Sequence, residues 1–112
     1  MLEKMERVIM LKDLYGPLLT DKQAQVLSWY YEQDLSLTEI AELMDISKQA
    51  VHDLLRRSEK TLREYENRLG WLGRFEAMRR ELEGVCALLN GPCDDAIRHQ
   101  AVKTLRTLLE SM

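Results

Sequence analysis

The amino-acid sequence predicts an all-α protein, and three observations support this fold class. Apolar residues recur at every third or fourth position along most of the chain, which is the spacing of a helix face. Thr20, Ser36 and Ser47 each precede such a run and are residue types that cap helix N-termini. No segment alternates apolar and polar residues as a half-buried strand would. We therefore expect about six helices.

The first two helices are bounded by clear start and stop signals. The run from Leu2 to Tyr15 repeats apolar residues near the 3.6 spacing, and Gly16-Pro17 ends it because proline lacks the N–H donor. Thr20 with Gln23 forms a capping box that opens a second helix, which we expect to end around Asp34.

A short third helix and a long fourth helix follow. Ser36 and Glu39 form another capping box, and the segment 44–46 interrupts the helix that begins there. Ser47 caps the fourth helix, which nothing breaks before Gly70. The aromatic residues of the first two helices are expected to fill the core beside the leucines, namely Tyr15, Trp29, Tyr30 and Tyr31.

The pair formed by the third and fourth helices has the requirements of a helix-turn-helix. Ala41 is small enough to lie where the helices cross, Asp45 tolerates the left-handed conformation of the turn, and Ile46 can pack beneath it. The apolar positions that should close this small core are Ile40, Leu43, Ala50, Val51, Leu54 and Leu55.

The exposed side of the fourth helix carries the candidate binding residues. Gln49 lies near the helix start, where it can pair with adenine, and Arg56, Arg57, Lys60 and Arg63 form a row suited to phosphates. The candidate nucleic-acid-binding residues are Ser47, Lys48, Gln49, His52, Arg56, Arg57 and Lys60. The alternative interpretation is a solvated face in which ion pairs to Glu59 and Glu64 neutralise the arginines.

Two amphipathic helices complete the chain. The first has a heptad spacing, and Asn90-Gly91-Pro92 ends it, with Gly91 expected in the left-handed region. Asp94 can cap the last helix. Since so short a chain has few surfaces to cover both helices, we expect a homodimer whose interface contains Trp71, Phe75, Met78, Leu82, Val85, Leu105 and Leu108.

The length and composition of the chain limit its number of domains and exclude several classes of function. The 112 residues suit one helical domain, with residues 18–68 as the helix-turn-helix core and 69–112 as the dimerisation region. No run is apolar enough to cross or insert into a membrane, and two cysteines make no disulfide framework, so we expect a cytoplasmic protein. No catalytic constellation, metal-ligand spacing or phosphate loop is present, and we expect no enzymatic activity and no cofactor.

The charge balance argues against strong unaided DNA binding. The net charge is −3, and residues 36–68 carry six basic and seven acidic side chains. Nucleic-acid binders usually have a basic surplus, because phosphate contacts supply most of the non-specific affinity. Any binding must therefore come from cations gathered on one face, with few phosphate contacts.

The segment from Leu18 to Glu66 resembles known helix-turn-helix proteins. It is similar to bacterial sigma-factor region four, and more closely to the small YlxM-like proteins, through "LLTDKQ", "DLSLTEIAE", "ISKQAVHD" and "LREYE". The resemblance covers roughly residues 5 to 75 and implies a winged-helix-like fold without a wing, usually self-associated and without enzymatic activity.

The resemblance also implies a regulatory or accessory role in the signal recognition particle pathway, because genes of this family commonly neighbour those of the particle's GTPases. The partner it implies is the particle's RNA or its GTPase, whereas the sigma-like part favours DNA. Three hypotheses remain open: an accessory protein of the particle, a sequence-specific transcriptional regulator, and a structural module without a nucleic-acid partner. For a dimeric regulator, two recognition helices should lie about 34 Å apart.

Overall fold

The computed structural model describes residues 2–112 and confirms the all-α fold class. In this range it has six α-helices and no strand. The helices are α1 (Leu2–Tyr15), α2 (Asp21–Leu27), α3 (Leu37–Met44), α4 (Lys48–Leu69), α5 (Trp71–Asn90) and α6 (Asp95–Ser111). By contacts the chain divides into two compact units, with the boundary between Leu72 and Gly73. That residues 1–112 form a single all-helical domain stays a prediction.

The N-caps predicted from the sequence form the expected hydrogen bonds. Thr20 Oγ1 accepts from the Gln23 N–H at 3.2 Å, and Gln23 Oε1 accepts from the Thr20 N–H at 3.1 Å. Ser36 and Glu39 repeat this reciprocal arrangement at 3.1 and 3.2 Å. Ser47 Oγ accepts the N–H three positions further on at 3.0 Å. These local bonds set the starts of α2, α3 and α4.

The helical segment that begins at Thr20 ends close to Asp34, as predicted, but its last part is not a regular α-helix. After α2 the chain forms a wide π turn over Ser28–Glu32, in which the Gln33 N–H donates to the Ser28 carbonyl at 3.0 Å. Asp34 then takes a positive φ of 56°. In this turn Tyr31 takes the inward position, whereas Tyr30 is 36% exposed, so the expectation that Tyr30 fills the core was wrong.

The fourth helix is the element around which the first unit packs. It contacts α1, α2 and α3, and its buried face carries Val51, Leu55 and Leu62. Other buried side chains of this core are Val8, Leu11, Tyr15, Val26, Leu27, Ile40 and Leu72, with Trp29 partly buried against them. Burying such aliphatic and aromatic side chains is the main favourable term for a unit of this size.

Two tyrosine–glutamate pairs connect α4 to the rest of the unit. Tyr31 donates its phenol hydrogen to Glu59 Oε1, and Lys4 Nζ lies 3.8 Å from the other carboxylate oxygen. Tyr15 donates to Glu66 Oε1 at 2.6 Å. The same Glu66 oxygen accepts from the Leu72 N–H at 3.0 Å. Leu72 lies in the first turn of α5, and the dipole of that helix stabilises a carboxylate at its N-terminus.

Burial and these hydrogen bonds change the acidity of both phenols. Removal from water raises the pKa of Tyr15 and of Tyr31 above the ordinary 10.0, and the neighbouring glutamate raises it further because the neutral phenol donates to it. A raised folded-state pKa stabilises the fold below pH 10, and this contribution is lost as the pH rises towards the folded-state value.

Two local expectations from the sequence were wrong. Leu43 is 61% exposed, because Ile40 and Ala41 turn toward the core and Leu43 lies on another side of the short α3. Gly91 does not adopt positive φ; within residues 2–112 the only glycine that does is Gly70, at the end of α4. The connection after α5 is therefore made without a left-handed glycine.

Replacing Tyr31 with phenylalanine should lower the free energy of unfolding by about 1–3 kcal/mol at pH 7, because it leaves the Glu59 carboxylate buried without its hydrogen-bond donor. The measurement is urea unfolding, with Tyr30→Phe as the neighbouring control on an exposed phenol. Above pH 10 the wild type should lose stability more steeply than Tyr31→Phe. Equal stability of the two variants at pH 7 would refute the role given to the Tyr31–Glu59 pair.

Candidate nucleic-acid interface

The turn between α3 and α4 has the geometry that a helix-turn-helix requires. Asp45 ends α3 in the left-handed region, with φ 54° and ψ 47°. The Ile46 N–H donates to the Ala41 carbonyl at 3.1 Å, which closes the turn over the last residues of α3. An aspartate is among the few residue types that visit this conformation readily. No continuous helix passes through Asp45, as the sequence predicted.

The two helices of the motif cross over a small apolar contact. Ala41 is 9% exposed, and Ile40 and Val51 are fully buried. Leu55 is buried one turn after Val51, whereas Ala50, Ile46 and Leu54 are half-buried. The predicted core of the motif is therefore confirmed except for Leu43.

The side of α4 opposite this contact is open to solvent. Lys48, Gln49, Arg56, Arg57 and Lys60 are exposed, and His52 is half-buried. Ser47 is exposed too, with its hydroxyl oxygen used as the helix cap. Six of the seven predicted binding residues thus lie at the cap or on the N-terminal half of α4, and Lys60 lies just past its middle. A recognition helix contacts bases with its N-terminal residues.

An acidic side chain lies among these candidates and was not included in the predicted set. Gln49 Nε2 donates to Asp53 Oδ1 at 3.1 Å, and His52 Nδ1 lies 3.8 Å from the same oxygen. Among residues 2–112, His52 Nδ1 has no hydrogen-bond partner. The four-residue spacing from Gln49 to Asp53 on a helix was the available sequence signal for this contact. Gln49 must share or release Asp53 before its amide can pair with an adenine.

The basic row further along α4 is not neutralised by ion pairs. Within residues 2–112, no carboxylate lies within 4 Å of a charged nitrogen of Arg56, Arg57, Lys60 or Arg63. Glu59, which the alternative interpretation assigned to Arg56, instead binds Tyr31 and lies near Lys4. The pairing to Glu59 that this interpretation requires is therefore not made in the structure.

Three of the exposed cations follow one side of the helix together with Gln49. Positions 49, 56, 60 and 63 are separated by 7, 4 and 3 residues, so they form a single stripe along α4. At 1.5 Å per residue this stripe is about 21 Å long. We call it the α4 stripe. Asp53 is the acid within it.

The residues predicted for a dimer interface occupy three different environments. Phe75 and Leu82 are 51% and 43% exposed on α5. Trp71 is 43% exposed and stacks on Tyr15, with 5.9 Å between the ring centroids. Met78 and Leu105 are half-buried, whereas Val85 and Leu108 are already buried in the isolated chain. The exposed part of the predicted set therefore consists of Trp71, Phe75 and Leu82.

Other classes of site find no support in the part of the chain that is described. No group of three or more histidine, cysteine, aspartate or glutamate side chains is placed to hold a metal ion there. Across residues 2–112, no helix combines the length and the apolar composition needed to cross a bilayer. Cys86 and Cys93 are exposed free thiols.

Comparisons with known proteins agree with the geometry of the motif. A family model described as "Putative helix-turn-helix protein, YlxM / p13 like" (UPF0122) matches residues 2–87, which include α1 to α4 and most of α5. A UPF0122 protein of Halalkalibacterium halodurans is 42% identical over 113 residues, covering 100% of this chain and 96% of that protein.

Two further relatives are similar over most of this chain. A UPF0122 protein of Shouchella clausii is 51% identical over 79 residues, which cover 70% of this chain and 72% of the relative. One from Desulforamulus reducens is 42% identical over 90 residues, covering 80% and 77%. The resemblance to YlxM-like proteins, predicted from the motifs between Leu18 and Glu66, is confirmed.

Proposed function

Because the chain belongs to the YlxM / p13-like helix-turn-helix family, we propose that it is a non-enzymatic accessory protein that binds nucleic acid through the α4 stripe. The observation that carries this proposal is the row of exposed cations that no carboxylate in the described chain neutralises. These cations suit phosphates, whereas Gln49 and Lys48, at the capped start of α4, suit base edges.

The nucleic acid we propose is the RNA of the signal recognition particle, with the particle's GTPase as a neighbouring protein partner in the cytoplasm. This follows from the family resemblance together with the charge of the chain. At a net charge of −3, few phosphate contacts are available, and isolated duplex DNA would be held weakly at physiological salt. In an assembly where another protein neutralises part of the RNA charge, this chain needs to make fewer phosphate contacts of its own.

We further propose a homodimer formed through the exposed apolar side chains of α5. Phe75 and Leu82 are separated by seven residues and therefore share one side of the helix. Their exposed fractions of 51% and 43% are large for a phenylalanine and a leucine in the middle of a helix. Val85 and Leu108, which are buried in the isolated chain, are not part of the proposed contact.

The proposed interface is tested by titrating labelled particle RNA and a duplex DNA of equal length at two salt concentrations. Lys48→Ala with Gln49→Ala should weaken RNA binding by about 1–3 kcal/mol, the magnitude of a lost bidentate base contact. Asp53→Asn should strengthen binding, because it removes the carboxylate that lies among the cations and holds Gln49. Lys22→Ala, an exposed lysine on α2, is the matched control.

Preferential binding of the RNA would support the particle assignment, and tight sequence-dependent binding of promoter DNA would replace it with transcriptional regulation. If neither nucleic acid binds, or if the variants at positions 48 and 49 bind like Lys22→Ala, the proposed role of the α4 stripe is wrong.

The proposed dimer is tested by light scattering at micromolar concentration, where the wild type should have twice the mass of one chain. Phe75→Glu with Leu82→Glu should give a folded monomer, because two carboxylates would be desolvated in the interface. Leu109→Glu is the matched control, since Leu109 is 69% exposed on α6 but lies outside the predicted set. A wild type with the mass of a single chain would contradict the dimer.

A further inference from the structure

A small cavity between α1 and α4 places Lys4 and Arg7, which the proposed function does not use, beside Arg63 of the α4 stripe. Its volume is about 90 Å³. The aliphatic side chains of Val8, Leu11 and Leu62 form its apolar lining. The polar side chains that line it are Lys4, Arg7, Glu59 and Arg63. Two helices that are distant in sequence thus bring three cations to one concave surface.

The charges around this cavity do not cancel. Glu59 is 8% exposed, and its two oxygens are used by the Tyr31 phenol and, more weakly, by Lys4 at 3.8 Å. Within residues 2–112, neither Arg7 nor Arg63 has a carboxylate within 4 Å of its guanidinium nitrogens. Three cations and one carboxylate leave a local surplus of positive charge in a chain whose net charge is −3.

The chemistry of this cluster favours a phosphate group as its ligand. Guanidinium groups present several N–H donors in a plane, which matches the oxygens of a phosphate. Arg7 and Arg63 are exposed and unpaired, so binding an anion would not require either to break an existing ion pair. The buried Glu59 carboxylate repels anions from the deepest point, and a ligand would therefore lie at the basic rim.

The position of Arg63 connects the cavity to the α4 stripe. Arg63 is the last member of the stripe, three residues after Lys60, and it also lines the cavity. Lys4 and Arg7 are three residues apart and so share one side of α1. The line of cations that begins near Lys48 therefore continues past the end of the stripe onto a second helix.

We propose that Lys4, Arg7 and Arg63 form a phosphodiester-binding site, which extends the nucleic-acid surface of α4 onto α1. This inference rests on the proposed function. Arg63 lies about 21 Å along the helix from Gln49, so the phosphates that it contacts would lie well away from a base bound near Gln49. A recognition helix contacts bases with its N-terminal residues. The site at Lys4, Arg7 and Arg63 would therefore contact the phosphodiester backbone of a more distant part of the same folded RNA.

The test compares the salt dependence of particle-RNA binding by the wild type and by Arg7→Gln with Arg63→Gln, which keeps the Lys4–Glu59 contact. Loss of two phosphate contacts should reduce the slope of log K against log salt by about 1.4–1.8. Lys22→Gln with Arg68→Gln removes two exposed charges elsewhere in the same unit and should leave the slope unchanged. Urea unfolding should place both variants within about 0.5 kcal/mol of the wild type.

A slope reduced by only about 0.7–0.9, the contribution of Arg63 through the α4 stripe alone, would overturn the inference and leave the proposed function standing. Equal slopes for the two double variants would count against both. A free anion as the ligand is tested by calorimetric titration of inorganic phosphate. If phosphate binds the wild type but not Arg7→Gln with Arg63→Gln, and the RNA slope is the same for both, the assignment to nucleic acid is wrong. A wild type that binds no nucleic acid overturns both proposals.

Discussion

The arrangement of the first unit depends on two glutamates of α4 that are held by tyrosines from distant parts of the chain. Removing a carboxylate from water costs several kcal/mol unless donors replace the water. Glu59 receives the Tyr31 phenol from the π turn, and Glu66 receives the Tyr15 phenol from the end of α1. A packing that separates either pair leaves a carboxylate without its donor, so α1, the π turn and the start of α5 are constrained against one side of α4.

This use of the acidic residues explains how a segment of nearly neutral composition has a basic side. Residues 36–68 contain six basic and seven acidic side chains. Glu59 and Glu66 turn inward to tyrosines, whereas Arg56, Lys60 and Arg63 remain exposed without carboxylate partners in residues 2–112. The exposed side of α4 is therefore more positive than the net charge of residues 36–68 suggests. Asp53 is the acid that remains within the stripe, and it holds Gln49.

The features predicted from the sequence are those set by contacts within about four residues. The caps at Thr20, Ser36 and Ser47 and the left-handed Asp45 belong to this class, because backbone and side chain satisfy each other locally. The Tyr31–Glu59 and Tyr15–Glu66 pairs join residues 28 and 51 positions apart, and no periodicity in the sequence connects them. The candidate residues of α4 followed from helical periodicity, whereas the cavity shared by Lys4, Arg7 and Arg63 required the packing of α1 on α4.

Tyrosines hold one side of α4, and we propose that nucleic acid binds its other side. The most direct measurement is the change in backbone amide NMR shifts when particle RNA is added to the isotope-labelled protein. We expect the largest changes between residues 47 and 63 and at residues 4 and 7, with small changes in α6. Changes concentrated in α5 and α6, with α4 unaffected, would contradict this division of the helix.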